Sequence, residues 1–148
     1  MSHALVLGSA SWWPGALDAA VGFHPQRWPG ILGLRAERGY PPPERVISFW
    51  SPPRPLKSAE WAEWQFPGGS GNGSSGLFAA KVALVDFGFA RVTLCGVPLT
   101  PTDHITGPGT PFTNAADWRP AWQALAPEWR RRMRSMSGWT RQLLGGPD

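Results

Sequence analysis

The chain opens on a short apolar run, Ala4-Leu5-Val6-Leu7, closed by Gly8, which predicts a buried strand. Ser11 is suited to cap a helix and Pro14 to stand near its first position, so a short helix is expected from about Trp13 to Ala20. From Gln26 to Arg38, Trp28, Ile31, Leu32 and Arg35 recur at helical spacing and predict a helix ending near Gly39. Pro41 to Pro43 form a stiff spacer, and Val46 to Trp50 read as a second strand stopped by Pro52 and Pro53. Ser58 is placed to cap a short helix over Ala59–Trp64, which Pro67 ends.

A glycine-rich loop over 68–76 then opens onto Leu77–Phe87, a helix apolar nearly all round and therefore expected to be buried. Gly88 is its expected C-terminal stop. Arg91 to Val97 shows little alternation, as a central parallel strand covered on both faces would, and places Cys95 in a buried position. Pro98 to Asn114 reads as a loop. Helical pattern returns at Asp117-Trp118-Arg119 and from Pro127 to about Arg134, and one short closing helix is expected before Gly145. Strand and helix alternate, so the expectation is a single α/β domain over 1–148, with a short, mainly parallel sheet and many irregular loops.

Composition sharpens this picture. The 18 Gly and 17 Pro among 148 residues force much of the chain into turns, so long helices should be few. Charged residues are 16% and hydrophobic residues 42%, which argues against a disordered tail or a solvated coiled coil. One cysteine, Cys95, excludes a disulfide framework and a cysteine-rich zinc site, and three scattered histidines suggest no metal centre. No apolar run approaches a membrane span, and no signal peptide is visible, so an intracellular setting is expected. The formal charge is +4, and 119–148 accounts for all of it, with six Arg against Glu128 and Asp148. Arg130 to Arg134 beside Trp129 and Trp139 admits two readings, a nucleic-acid grip or a solvated final helical turn, and the second is preferred.

Two loops qualify as ligand cradles if they sit at the carboxyl ends of parallel strands, where helix N-termini offer free N–H groups. One is Gly8 and Ser9 after the first strand. The other is Asn72, Ser74, Ser75 and Gly76 at the start of the apolar helix. Neither carries the lysine of a P-loop or the spaced glycines of the dinucleotide fingerprint. His104, with Asp103 beside it, is a candidate general base on a later loop, set against a plain loop histidine. The ten tryptophans exceed what so small a core holds, and Trp12, Trp13, Trp129 and Trp139 are the candidate interface residues for a protein partner or self-association.

Several segments together resemble a known group of proteins. Gly73-Ser74-Ser75-Gly76-Leu77-Phe78-Ala79, then Ala83, Gly88 and Val92 to Leu99, is similar to the Rossmann-like element of bacterial sialyltransferases of the Campylobacter type and of pterin-pyrophosphokinase-like and motility-accessory families. Phage and prophage proteins with the same core share more: Gly8-Ser9-Ala10, His24-Pro25, Ser74 to Ala79, His104, and Arg134 to Thr140 followed by Leu143-Leu144-Gly145. The resemblance implies a small Rossmann-like three-layer domain that binds a nucleotide or nucleotide-sugar, CMP-like, through Gly8, Ser9, Asn72, Ser74, Ser75 and Gly76. It implies His104 as base in a degenerate glycosyl- or nucleotidyl-transferase relative. The alternative it implies is a non-enzymatic virion or assembly protein that uses the fold as a scaffold, so the setting is a bacterial cytoplasm or a phage particle. The sequence departs from the pattern between Ser11 and His24, where no room is expected for the relatives' second strand.

Overall fold

The computed structural model describes residues 4–6, 10–49, 59–66, 74–101, 103–104, 107–111 and 113–147. These residues form a mixed α/β structure of short, mostly parallel sheets and several helices, divided into two units, Met1–Trp64 and Gln65–Asp148.

The first unit is a parallel sheet in the order β1 (Ala4–Val6), β2 (Ala19–Gly22), β3 (Arg45–Phe49), β4 (Glu60–Ala62). All four residues of β2 are buried, as expected of a strand with parallel neighbours on both sides. Ala20 and Val46 are register partners and share a core with Ala10, Leu17 and Trp28. Trp28 begins α1 (Trp28–Glu37), and Ile31 and Leu32 pack on the same core, so the predicted helical spacing places α1 on the sheet. At the carboxyl ends of the central strands, the buried Ser48 hydroxyl donates to Gly22 O at 2.9 Å.

Arg35 governs the connection between β1 and β2. Its side chain, 1% exposed, reaches from α1 and donates to Ala10 O at 2.9 Å, Trp13 O at 2.6 Å, Gly15 O at 2.7 Å and Pro41 O. Arg38 donates to Ser11 O at 2.7 Å and lies 4.1 Å over the Trp12 ring. Every hydrogen-bond partner of Arg35 is a carbonyl, and burial lowers its pKa from its ordinary value, with Tyr40 opposing.

This arrangement overturns the helix expected over Trp13–Ala20. Inside the expected helix the Trp13 and Gly15 carbonyls accept from Arg35, and the Ser11 carbonyl before it accepts from Arg38, so these carbonyls are satisfied without a helical ladder. The same interval supplies β2, a strand where no room for one was expected between Ser11 and His24. Ala19 and Ala20 favour helix in isolation, but burial between two strands decides their conformation. The helix expected over Ala59–Trp64 is likewise β4 at Glu60–Ala62, whose Glu60 takes Arg45 bidentately at 2.6 and 2.5 Å. Ser58 lies outside the described residues.

The second unit begins with α2 (Ser74–Lys81), continued by a π-helical turn over Val82–Asp86. The wide turn sets side chains five apart on one face, and the 4%-exposed Lys81 pairs with Asp86 at 3.0 and 2.8 Å. Gly88, at φ +70°, ends the helix as predicted. β5 (Val92–Leu94) pairs in parallel with β8 (Met133–Ser135), in register Val92↔Met133 and Leu94↔Ser135. Between them come the antiparallel hairpin β6 (Asp103–His104) and β7 (Gly107–Pro111), a 3-10 helix over Thr113–Trp118, α3 (Arg119–Gln123) and α4 (Pro127–Arg131). α5 (Gly138–Leu144) closes the chain where a closing helix was expected. Leu77, Phe78, Val82, Leu84, Leu94, Trp122, Leu125 and Met133 are buried.

Four expectations are corrected here. β5 has three residues with one partner strand and is not a central strand; its central Thr93 is exposed. Cys95 lies past its end and is exposed. The loop expected over Pro98–Asn114 contains the β6–β7 hairpin. The helix expected to run to about Arg134 stops at Arg131, because Met133 and Ser135 alternate inward as a strand. Nor is Arg132 merely solvated: it donates to Leu84 O at 3.3 Å, Phe89 O at 2.6 Å and Ala90 O at 3.1 Å.

The Arg35 network yields a stability prediction. Arg35→Met should cost about 3 kcal/mol or more, since four buried carbonyls lose a charged donor at once. Arg35→Lys should recover less than half of that, because an ammonium cannot reproduce the guanidinium fork. Urea midpoints for the three proteins measure both effects.

Candidate functional site

The carboxyl edge of β5 and β8 brings several chain segments close together. β5 leaves through Cys95 to Leu99, and β8 leaves through Met136 to Gly138. The two exits are pressed together. Trp139 N donates to Pro98 O at 2.8 Å, and Met136 N donates to Leu94 O at 3.0 Å. The Thr140 hydroxyl donates to Val97 O at 2.5 Å and lies 2.7 Å from the Ser135 hydroxyl. Gly138, at φ +66°, passes so close to Pro98 that a Cβ would lie 2.4 to 2.6 Å from its atoms, backbone included. No other residue fits there.

The first turn of α2 lies on the same edge. A Cβ at Gly76 would stand 2.8 Å from Val97 Cγ1, so the missing side chain is what lets α2 approach the segment leaving β5. Ser74 starts the helix at φ +77°, and its Oγ is buried without a hydrogen-bond partner. Ser75 is partly exposed beside it. Leu99, at φ +47°, is the other non-glycine residue among those described with a positive φ. Its carbonyl accepts both Nε (3.0 Å) and Nη2 (2.8 Å) of Arg119, whose guanidinium lies 5.2 Å from the Trp139 ring centre. Strained backbone of this kind tends to gather at functional sites.

Of the residues singled out in the sequence, Ser74, Ser75, Gly76 and Trp139 lie at this edge. Gly8, Ser9 and Asn72 lie outside the described residues. His104 belongs to β6, in register with Gly107, and is not among the contacts described at the edge. Trp129 is half-buried, 5.4 Å from the Phe66 ring and under Arg132 at 4.9 Å. Trp12 and Trp13 are exposed, at 45% and 42%. Sequence reading did not single out Arg119 or Thr140 as site residues. Arg119 was hidden in a count of cations, and nothing local marks Thr140 as the side chain that joins the two strand exits.

At the carboxyl edge of the first sheet, His24 follows β2 and precedes the 3-10 turn Pro25–Arg27. Burial, with a smaller contribution from Arg27, lowers its pKa from 6.5. No family model, curated protein or solved structure matches the chain. Its function therefore rests on the geometry of the edge itself. Among the described residues, no group of three or more His, Cys, Asp or Glu is arranged to hold a metal, and no helix is long and apolar enough to cross a membrane.

Two outcomes follow. Gly138→Ala should destabilise the fold by more than about 3 kcal/mol, since the obstacle is Pro98 backbone and φ is positive as well; thermal unfolding reports it. For His24, a folded-state pKa below the unfolded value means the unfolded chain binds the proton more readily. The stability it contributes is complete above pH 6.5 and is lost as pH falls from there through the lowered value. In His24→Gln that part of the pH dependence of the urea midpoint should vanish.

Proposed function

We propose that the second unit binds a phosphate-bearing ligand of the nucleotide or nucleotide-sugar class, CMP-like, at the carboxyl edge of β5 and β8. The observation that carries this reading is Ser74, a strained residue in the first turn of α2 whose hydroxyl is buried and unpartnered. The first turn of a helix has free N–H groups and a positive dipole end, which together favour an anion. Ser75 adds a partly exposed hydroxyl next to it. In this reading the chain is a Rossmann-like three-layer protein related to phage proteins and to transferases. His104 serves as base if transfer chemistry has been retained. The order β1-β2-β3 is that of one half of such a fold, although β4 follows beside β3 rather than beside β1.

The test is a thermal-shift and calorimetric panel with CMP, a CMP-sugar and other nucleotides. A ligand at 100 times its dissociation constant adds about 2.7 kcal/mol, which is several degrees for a domain of this size. Ser75→Leu should abolish the shift while leaving the melting temperature of the free protein within a degree or two. Absence of a shift with every nucleotide, or a shift that Ser75→Leu leaves intact, refutes the assignment.

A second reading, an assembly or virion-associated protein, is favoured by the exposed Trp12 and Trp13, because rigid aromatic side chains in water are enriched at protein interfaces.

A further inference from the structure

The C-terminal end of α1 carries both a projecting group and a hollow. The projection is Trp12, 45% exposed, with Arg38 stacked at 4.1 Å and fixed by its bond to Ser11 O. Packing under Arg38 restricts its rotamers, which lowers the entropy that burying the side chain would cost. Trp13 and Leu34 beside it in sequence and on α1 are also exposed, at 42% and 44%. The hollow is a cleft of about 410 Å³ whose apolar walls are Leu32, Ala36, Tyr40, Pro42, Pro43 and Val46. That volume falls within the range of ligand pockets, about 300–1,000 Å³. Prolines and a tyrosine make a stiff wall of the kind that receives an aromatic ring.

Charge is complementary across the two features. Arg38 and Glu44, which also lines the cleft, each lack an ionic partner among the described residues, where the ion pairs are Arg45–Glu60 and Lys81–Asp86. One guanidinium fixes both features, since Arg35 holds the Ala10–Gly15 loop that carries Trp12 and also Pro41 at the head of the cleft wall. A self-complementary patch with knob and hole side by side is the requirement for a two-fold interface, in which residue i of one copy meets j of the other and j meets i.

We propose that the chain forms a two-fold dimer through this face, in which Trp12 of each copy enters the cleft of the other and carries Arg38 to Glu44. The occupant of the cleft is thus a second copy of this chain, and the inference is independent of the ligand reading of the second unit. Each contact occurs twice, so one substitution removes two anchors.

Sedimentation equilibrium on the full chain tests it. A reversible dimer is expected, with a dissociation constant in the micromolar range. Trp12→Ala should make it monomeric with unchanged far-UV circular dichroism. Glu44→Arg, an exposed change that leaves the Arg35 network intact, should weaken the dimer by about tenfold or more. A chain that stays monomeric throughout overturns the proposal and leaves the face to a different protein. A dimer that survives both Trp12→Ala and Glu44→Arg overturns it too, because another surface would then be responsible.

Discussion

A chelated guanidinium holds the first unit together. Arg35 sits in the core without a carboxylate, and its positive charge is balanced by four carbonyl dipoles drawn from two separate stretches of irregular backbone. A loop rich in tryptophan, proline and glycine has carbonyls that no ladder satisfies, and leaving them buried and unpaired would cost about 1–3 kcal/mol each. One side chain with five N–H donors in a plane answers several of them at once, which a lysine cannot do. The same solution recurs in the second unit, where Arg132 takes the carbonyls of Leu84, Phe89 and Ala90, and Arg119 takes that of Leu99. This accounts for a feature of the composition that net charge obscures. Twelve of the fourteen basic residues are arginine, and several of them act as backbone donors in a chain whose glycine and proline keep much of it out of regular structure.

That substitution of donors for ladders explains where sequence reading succeeds and where it fails. α1, β3, the α2 segment with its Gly88 stop, and α5 carry their own signals in spacing or capping and lie where those signals place them. β2, β4 and β8 do not. Each has three or four residues, too few to display a period, and each owes its conformation to a neighbour: burial between β1 and β3, the Arg45–Glu60 grip, or the inward turn of Met133 and Ser135 beside β5. Helix signals won on paper because capping residues are local, whereas the carbonyl chelation that removes the helix after Ser11 comes from residues more than twenty positions later.

The candidate site shows the same division. The serine and glycine opening of α2 and the Gly96-Val97-Pro98 segment are contiguous and so were legible. Their meeting with Arg119, Gly138 and Thr140 is a product of folding, since Leu99 and Arg119 are 20 positions apart in the chain and Val97 and Thr140 are 43 apart. The glycines there also have a packing reason that a motif does not reveal. Gly76 makes room for Val97, and Gly138 makes room for Pro98. Close approach of three backbone segments is therefore the primary constraint at this edge.

Packing alone, however, does not account for Ser74. A residue at φ +77° costs about 1 kcal/mol or more relative to glycine, and a buried hydroxyl without a partner adds a further cost of about 1–3 kcal/mol. Glycine at this position would relieve both. Leu99 bears a similar backbone cost a short distance away, held in place by two N–H groups of Arg119. Two strained non-glycine residues on one edge, one of them with an unused hydroxyl at the start of a helix, are a poor arrangement for stability, and the proposed anion-binding role would account for that cost. The strain is thus the link between the fold and the ligand reading, because it is the part of the edge that the need to pack leaves unexplained.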